Sequence, residues 1–186
     1  YTDSSTTLGF IYLSRDPRDI VISWAKHANL SYDESIDFML NPKSCIEWAQ
    51  TNSELPYYIK PRAFLSSWDD HVISWTKNNM AVPKLILKYE DLVYKKEKTL
   101  DIIIKFFENS FKINFNLSKE KFANIIKSTD FRELKSQENK YGFHEAVSGV
   151  FFRKGTKNQW KKELNNKQIT KIENKFRDFM NKYGYY

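Results

Sequence analysis

The chain has little cysteine, glycine or proline. Cys45 is its one cysteine, so no intrachain disulfide can form, and a reducing, cytoplasmic setting is expected. There are five glycines, at 9, 142, 149, 155 and 184, and none sits in a strand, glycine-rich loop and helix sequence. That excludes a Walker-type phosphate loop; Lys154-Gly-Thr156 follows a polar stretch, not a strand. No apolar run approaches the ~20 residues that a membrane helix needs, so no transmembrane segment is expected. Three histidines and one cysteine offer no metal-ligand spacing, and no metal is expected.

What is present argues for a packed globule. Hydrophobic residues make up 41% of the 186 positions and aromatics 16%, far from a disordered composition. The length predicts a single domain over residues 1–186. A formal charge of +7 favours an anionic partner: a phosphorylated small molecule, a nucleic acid or a membrane surface. A lysine-rich solvated face accounts for the same charge equally well.

The most informative stretch is Tyr12-Leu-Ser-Arg-Asp-Pro-Arg-Asp-Ile-Val-Ile-Ser-Trp24. Leu8 to Leu13 reads as a strand buried on both faces. Asp16 suits a helix N-cap and Pro17 the first helical position, which predicts a helix from Pro17 to Ala28. Arg15 lies in the turn between them, and Ser23 lies at the edge of the helix's apolar face. A helix N-terminus, a guanidinium and a hydroxyl can hold an anion. A strand-to-helix joint with Arg15 in a surface ion pair is the competing reading.

Further along, Phe64, Trp68, Val72 and Trp75 predict a helix over 61–77. His71 on it reads as a satisfied or exposed helix histidine. Lys84 to Tyr89 reads as a second apolar strand, with Tyr89 at its C-terminal end, where ligands collect in α/β sheets. A core tyrosine at a strand end is the alternative. Leu100, Ile103, Ile104 and Phe107 predict a well-buried helix over 95–109, Ser118 an N-cap, and Asn166 to Tyr183 a final amphipathic helix. Lys140 to Val150 reads as a mobile loop. Arg153 and Lys154 can pair with a phosphate, and Gly155 lets backbone approach it. A basic surface loop is the other reading. Residues 31–60 carry no assignable role.

Taken together, these motifs resemble the PAPS-dependent (3′-phosphoadenosine 5′-phosphosulfate) sulfotransferases. Arg15-Asp-Pro-Arg-Asp19 with Ser23 is similar to the family's 3′-phosphate element. Tyr89-Glu-Asp-Leu92 is similar to its Tyr-Glu-Asp-Leu motif, Thr129-Asp-Phe131 to its Thr-Ser-Phe, and Phe151-Phe-Arg-Lys-Gly155 with Trp160-Lys161 to its Arg-Lys-Gly signature. They occur in family order over roughly residues 8–165. The resemblance implies an α/β fold, a P-loop-type three-layer sandwich with a parallel sheet, here truncated and mostly helical with few strands. It implies PAPS as cosubstrate and PAP (adenosine 3′,5′-bisphosphate) as product. Arg15, Ser23, Arg153, Lys154 and Gly155 would serve the 3′-phosphate side, Tyr89, Thr129 and Phe131 the adenine, with Phe151 and Phe152 also cofactor-binding. Asp130 stands where the family has Ser.

The family's Lys-Ser-Gly-Thr loop for the 5′-phosphosulfate and its catalytic histidine have no counterpart in these 186 residues. The chain is therefore expected to be the C-terminal part of a sulfotransferase, inactive alone, with no catalytic residue of its own. The implied reaction moves a sulfuryl group to a hydroxyl or amine of a small-molecule or sugar acceptor. Competing readings are a non-catalytic PAP- or PAPS-binding module and a basic, aromatic nucleic-acid binder. The family reading carries no nucleic acid. Neither the acceptor nor the oligomeric state can be read.

Overall fold

The computed structural model describes residues 5–47, 62–77, 80–143 and 149–186. Residues 48–60 of the stretch without an assigned role and 144–148 of the expected loop lie outside them. In chain order the elements are β1 (Phe10–Ser14), α1 (Pro17–His27), α2 (Tyr32–Leu40), β2 (Cys45–Glu47), β3 (Arg62–Phe64), α3 (Trp68–Thr76) and β4 (Lys84–Lys88). Then follow α4 (Tyr89–Tyr94), α5 (Lys96–Phe111), α6 (Lys119–Ser128), α7 (Phe131–Tyr141), α8 (Trp160–Glu163) and α9 (Asn166–Lys182). The fold is α/β, mostly helical, with one short parallel strand pair and one antiparallel pair among the described residues.

The chain divides into two compact units. The first takes Tyr1–Arg15, Lys26–Asn29 and Asn79–Gln159; the second takes Asp16–Ala25, Leu30–Asn78 and Trp160–Tyr186.

In the first unit β1 pairs parallel with β4, Phe10 opposite Lys84 and Ser14 opposite Lys88. Parallel strands need a long crossover, here the whole stretch from α1 to α3. Gly9 permits the close approach that begins the pairing: a Cβ there would lie 2.8 Å from the Pro83 carbonyl and 2.7 Å from the Phe111 ring. The strand begins two residues later than the apolar run suggests, and it is not buried on both faces. Tyr12 and Ser14 are buried, whereas Ile11 and Leu13 are exposed. Among the described residues β1 has β4 as its one neighbour in the sheet, and the alternation of a half-covered strand results. α5 is likewise less buried than its sequence suggests: Thr99 is its one buried residue, and Ile102 is exposed.

The second unit holds a well-packed core. Val21, Ile22 and Ala25 of α1, Ile36 and Met39 of α2, Trp68 and Val72 of α3, and Ile172, Phe176 and Met180 of α9 are buried. Trp68 meets Phe176 at 5.1 Å between ring centroids and Tyr185 at 6.4 Å. The start of α1 follows its sequence signals. Asp16 Oδ1 accepts the Arg18 N–H at 2.9 Å, and Pro17 is the first helical residue. Capping boxes start α2 (Ser31 with Glu34) and α9 (Asn165 with Gln168).

The expected helix over 61–77 is shorter, Trp68–Thr76. Residues 62–64 form β3 instead, paired antiparallel with β2, and Phe64 is 70% exposed rather than on a helical stripe. Ser67 takes extended backbone, φ −70° and ψ 160°, and sets the start of α3. Its hydroxyl donates to Asp69 and Asp70 rather than to a backbone group.

Candidate functional site

Most of the residues singled out from sequence fall in the first unit. Arg15 and Tyr89 directly follow the paired residues Ser14 and Lys88, so they leave the carboxyl ends of the two parallel strands side by side. The Arg15 guanidinium carbon lies 4.3 Å from the Tyr89 ring centroid, a cation–π contact. Arg15 Nε is buried and finds no hydrogen-bond partner among the described residues. A buried charged donor left unsatisfied is costly, and such groups in native proteins have a reason.

Tyr89 opens α4 and Tyr94 closes it, about 7.5 Å further along the helix axis. The Tyr94 hydroxyl accepts the Lys157 backbone N–H at 3.2 Å, and Lys157 Nζ lies 4.8 Å from the Tyr94 ring centroid. Arg15 and the basic loop thus attach to opposite ends of one six-residue helix.

The loop itself rests on α7. Gly155 has φ +60°, and a Cβ there would sit 2.3 Å from Phe131 Cδ2. Glycine is therefore required on two grounds, the left-handed backbone and the ring beneath it. Glu138, buried at 9% exposure, accepts the backbone N–H groups of Phe151 at 2.5 Å and Phe152 at 2.9 Å. Lys135 Nζ donates to the Arg153 carbonyl at 3.3 Å. Phe143, Phe151 and Phe152 pack with centroids 4.6 to 5.3 Å apart, Phe131 lies 6.2 Å from Phe152, and the His27 ring meets Phe151 edge-on.

Thr129 ends α6, exposed. Its hydroxyl donates to the Ile125 carbonyl at 2.7 Å, and its own carbonyl accepts from Lys96 at 2.6 Å. Asp130, the departure from the family motif, is the N-cap of α7. It accepts the Arg132 N–H at 2.9 Å, and that bond holds its pKa below the ordinary 3.8. The carboxylate there has a structural partner. Ser23 lies on α1 in the second unit, half-buried.

The second unit contains residues the sequence reading passed over. Arg18 is 4% exposed, and its guanidinium bonds Asp16 at 2.8 and 3.0 Å, Glu173 at 2.6 Å and the Tyr185 carbonyl. Burial works against its charge, but these two carboxylates more than offset that and raise its pKa. The same guanidinium lies 3.9 Å from the Trp160 ring centroid. The Asp-x-Arg spacing was visible; the distant partners were not. His71 is half-buried on α3, and desolvation lowers its pKa below 6.5, which favours the neutral ring. Among the described residues no cluster of His, Cys, Asp and Glu could hold a metal ion, and no helix is long and apolar enough to cross a membrane.

This arrangement places a cation and an aromatic ring at the carboxyl ends of parallel strands, with a glycine-containing basic loop in the same unit. In α/β sheets ligands collect at that end of the strands. Residues 5–184 match the sulfotransferase domain, and the chain belongs to that family. Sulfotransferase 2A1 of Macaca fascicularis is 27% identical over 177 residues, covering 91% of this chain and 55% of that protein. Flavonol 3-sulfotransferase of Flaveria bidentis is 25% identical over 177 residues, covering 88% of this chain and 52% of that protein. The crystal structure of mouse sulfotransferase SULT7A1 complexed with PAP is similar in fold. It has TM-score 0.64 and 22% identity, and covers 92% of this chain and 58% of that one. The chain spans about half the length of the curated relatives it matches.

Proposed function

We propose that this chain carries the 3′-phosphate and adenine part of the PAPS site of a sulfotransferase domain. The observation that carries this reading is the buried Arg15 Nε, held on Tyr89 with no acceptor of its own among the described residues. A bound phosphate supplies that acceptor, and the tyrosine ring offers a face to a purine. Arg153, Lys154 and Gly155 complete the phosphate side, and Phe151 and Phe152 also bind the cofactor. Thr129 and Phe131 complete the adenine side.

When bound, PAPS supplies the sulfuryl group that is transferred. The chain's own residues bind and orient the nucleotide. Arg15, Arg153 and Lys154 neutralise the 3′-phosphate, and the Tyr89 and Phe131 rings flank the base. The acceptor is a small molecule or sugar offering a hydroxyl or amine. These residues position rather than react, so the chain by itself binds nucleotide without transferring sulfate.

Calorimetry with PAP and AMP tests the reading. PAP is expected to bind at least about tenfold more tightly, the scale of one charge-assisted hydrogen bond. Equal affinity for the two nucleotides overturns it, and so does sulfate transfer by the chain alone for the claim that it does not turn over.

A further inference from the structure

We infer that one face of α7 sets the shape of the basic loop, and that Lys135 and Glu138 are positioning residues for nucleotide binding. The inference rests on the PAP reading above. Phe131, Lys135 and Glu138 recur at i, i+4 and i+7, a single stripe along the helix. Each supports a successive part of the loop in reverse order. Glu138 takes the amides of Phe151 and Phe152, Lys135 takes the carbonyl of Arg153, and the Phe131 ring lies under Gly155. The stripe runs antiparallel to the loop.

The physical content is that one buried carboxylate fixes two consecutive backbone N–H groups. That leaves residues 151 and 152 one backbone arrangement, and the Arg153 N–H then closes on the Phe151 carbonyl at 3.0 Å. A basic loop free in its backbone would otherwise lose that freedom when nucleotide binds, which weakens binding. The α7 stripe makes the payment during folding. The Phe131 ring that lies against Gly155 is also the one assigned to the adenine in the proposed function.

The test uses Glu138→Ala, Glu138→Gln and Lys135→Met in this chain. Two quantities are measured for each: amide hydrogen exchange at Phe151 and Phe152, and affinity for PAP and for AMP. Glu138→Ala is expected to speed exchange at both amides by about tenfold or more, with α9 amides unchanged, and to lower PAP affinity by about tenfold. Glu138→Gln, which keeps the shape and one acceptor, recovers part of both effects. Lys135→Met loosens Arg153 with a smaller loss. Wild-type exchange rates at Phe151 and Phe152 in Glu138→Ala overturn the inference. So does wild-type PAP affinity in a variant whose exchange has risen. If the unaltered chain binds PAP and AMP equally, the functional reading fails and takes this inference with it; a wild-type preference for PAP with no effect of the variants fails this inference alone.

Discussion

Asp19 Oδ1 accepts the backbone N–H of Trp160 at 3.1 Å, joining the first turn of α1 to a residue 141 positions later. Asp19 is 1% exposed, and the Trp160 ring carries the Arg18 guanidinium on its face. The second and third residues of α1 therefore hold the start of α8 by a hydrogen bond and by a cation–π contact.

Removing the acceptor leaves the Trp160 N–H unpaired. Asp19→Leu is expected to cost about 1–3 kcal/mol, read from the urea midpoint at constant m-value. Asp19→Asn keeps an acceptor and is expected to lose less than half of that. Equal losses in the two variants would show that volume, not the hydrogen bond, is what matters.

Arg18 and Arg15 are expected to behave oppositely, although two residues separate them. Arg18→Met strands the Asp16 and Glu173 carboxylates, at a cost of about 3–5 kcal/mol. Arg15→Met removes a buried donor that has no partner among the described residues, so its unfolding free energy stays within about 1 kcal/mol of wild type. It removes the preference for PAP over AMP all the same. Chemical denaturation and calorimetry on the same two variants separate the roles.

Gly155→Ala forces a Cβ into the Phe131 ring and a non-glycine residue into φ +60°. The expected loss is about 1–3 kcal/mol, with weakened PAP binding. Adding Phe131→Ala relieves the collision but not the backbone strain, so stability recovers only in part. Full recovery would assign the whole effect to the ring.

His71 predicts a pH dependence with a defined sign. Its folded pKa lies below 6.5, so the unfolded chain binds the proton more readily. Its contribution is fully present above 6.5 and is lost as pH falls through the lower folded value. The stability difference between wild type and His71→Gln should therefore shrink from pH 7.5 to pH 5, measured as urea midpoints. A constant difference refutes the assignment to His71.

Local signals read well from the sequence. Asp16 and Pro17 announced the start of α1, Ser118 that of α6, and the apolar stripe of α9 its buried face, because each depends on neighbours within a turn or two. The pairing of β1 and β4 ends, which sets Arg15 beside Tyr89, was legible only as two strands with candidate residues at their ends. What escaped was long-range. β3 displaced the first half of an expected helix because β2 offered it a partner. Glu138 looked like one more surface charge, since nothing near it in sequence says that Phe151 and Phe152 will come to it. Arg18 likewise waited for Glu173 and Tyr185. The full burial expected of β1 failed because an apolar run records capacity for contact, not its supply.

The parallel pair has a consequence for how the chain reaches its native state. Residue 10 cannot meet residue 84 until everything between has been drawn in, and such distant closure is slow. α2 and α9, each begun by its own reciprocal cap, can form early without help from afar. Refolding should then proceed in order of sequence reach. Helical signal appears first, and the neighbourhood of Arg15 and Tyr89 is among the last to mature, so nucleotide-binding competence should trail the recovery of circular dichroism.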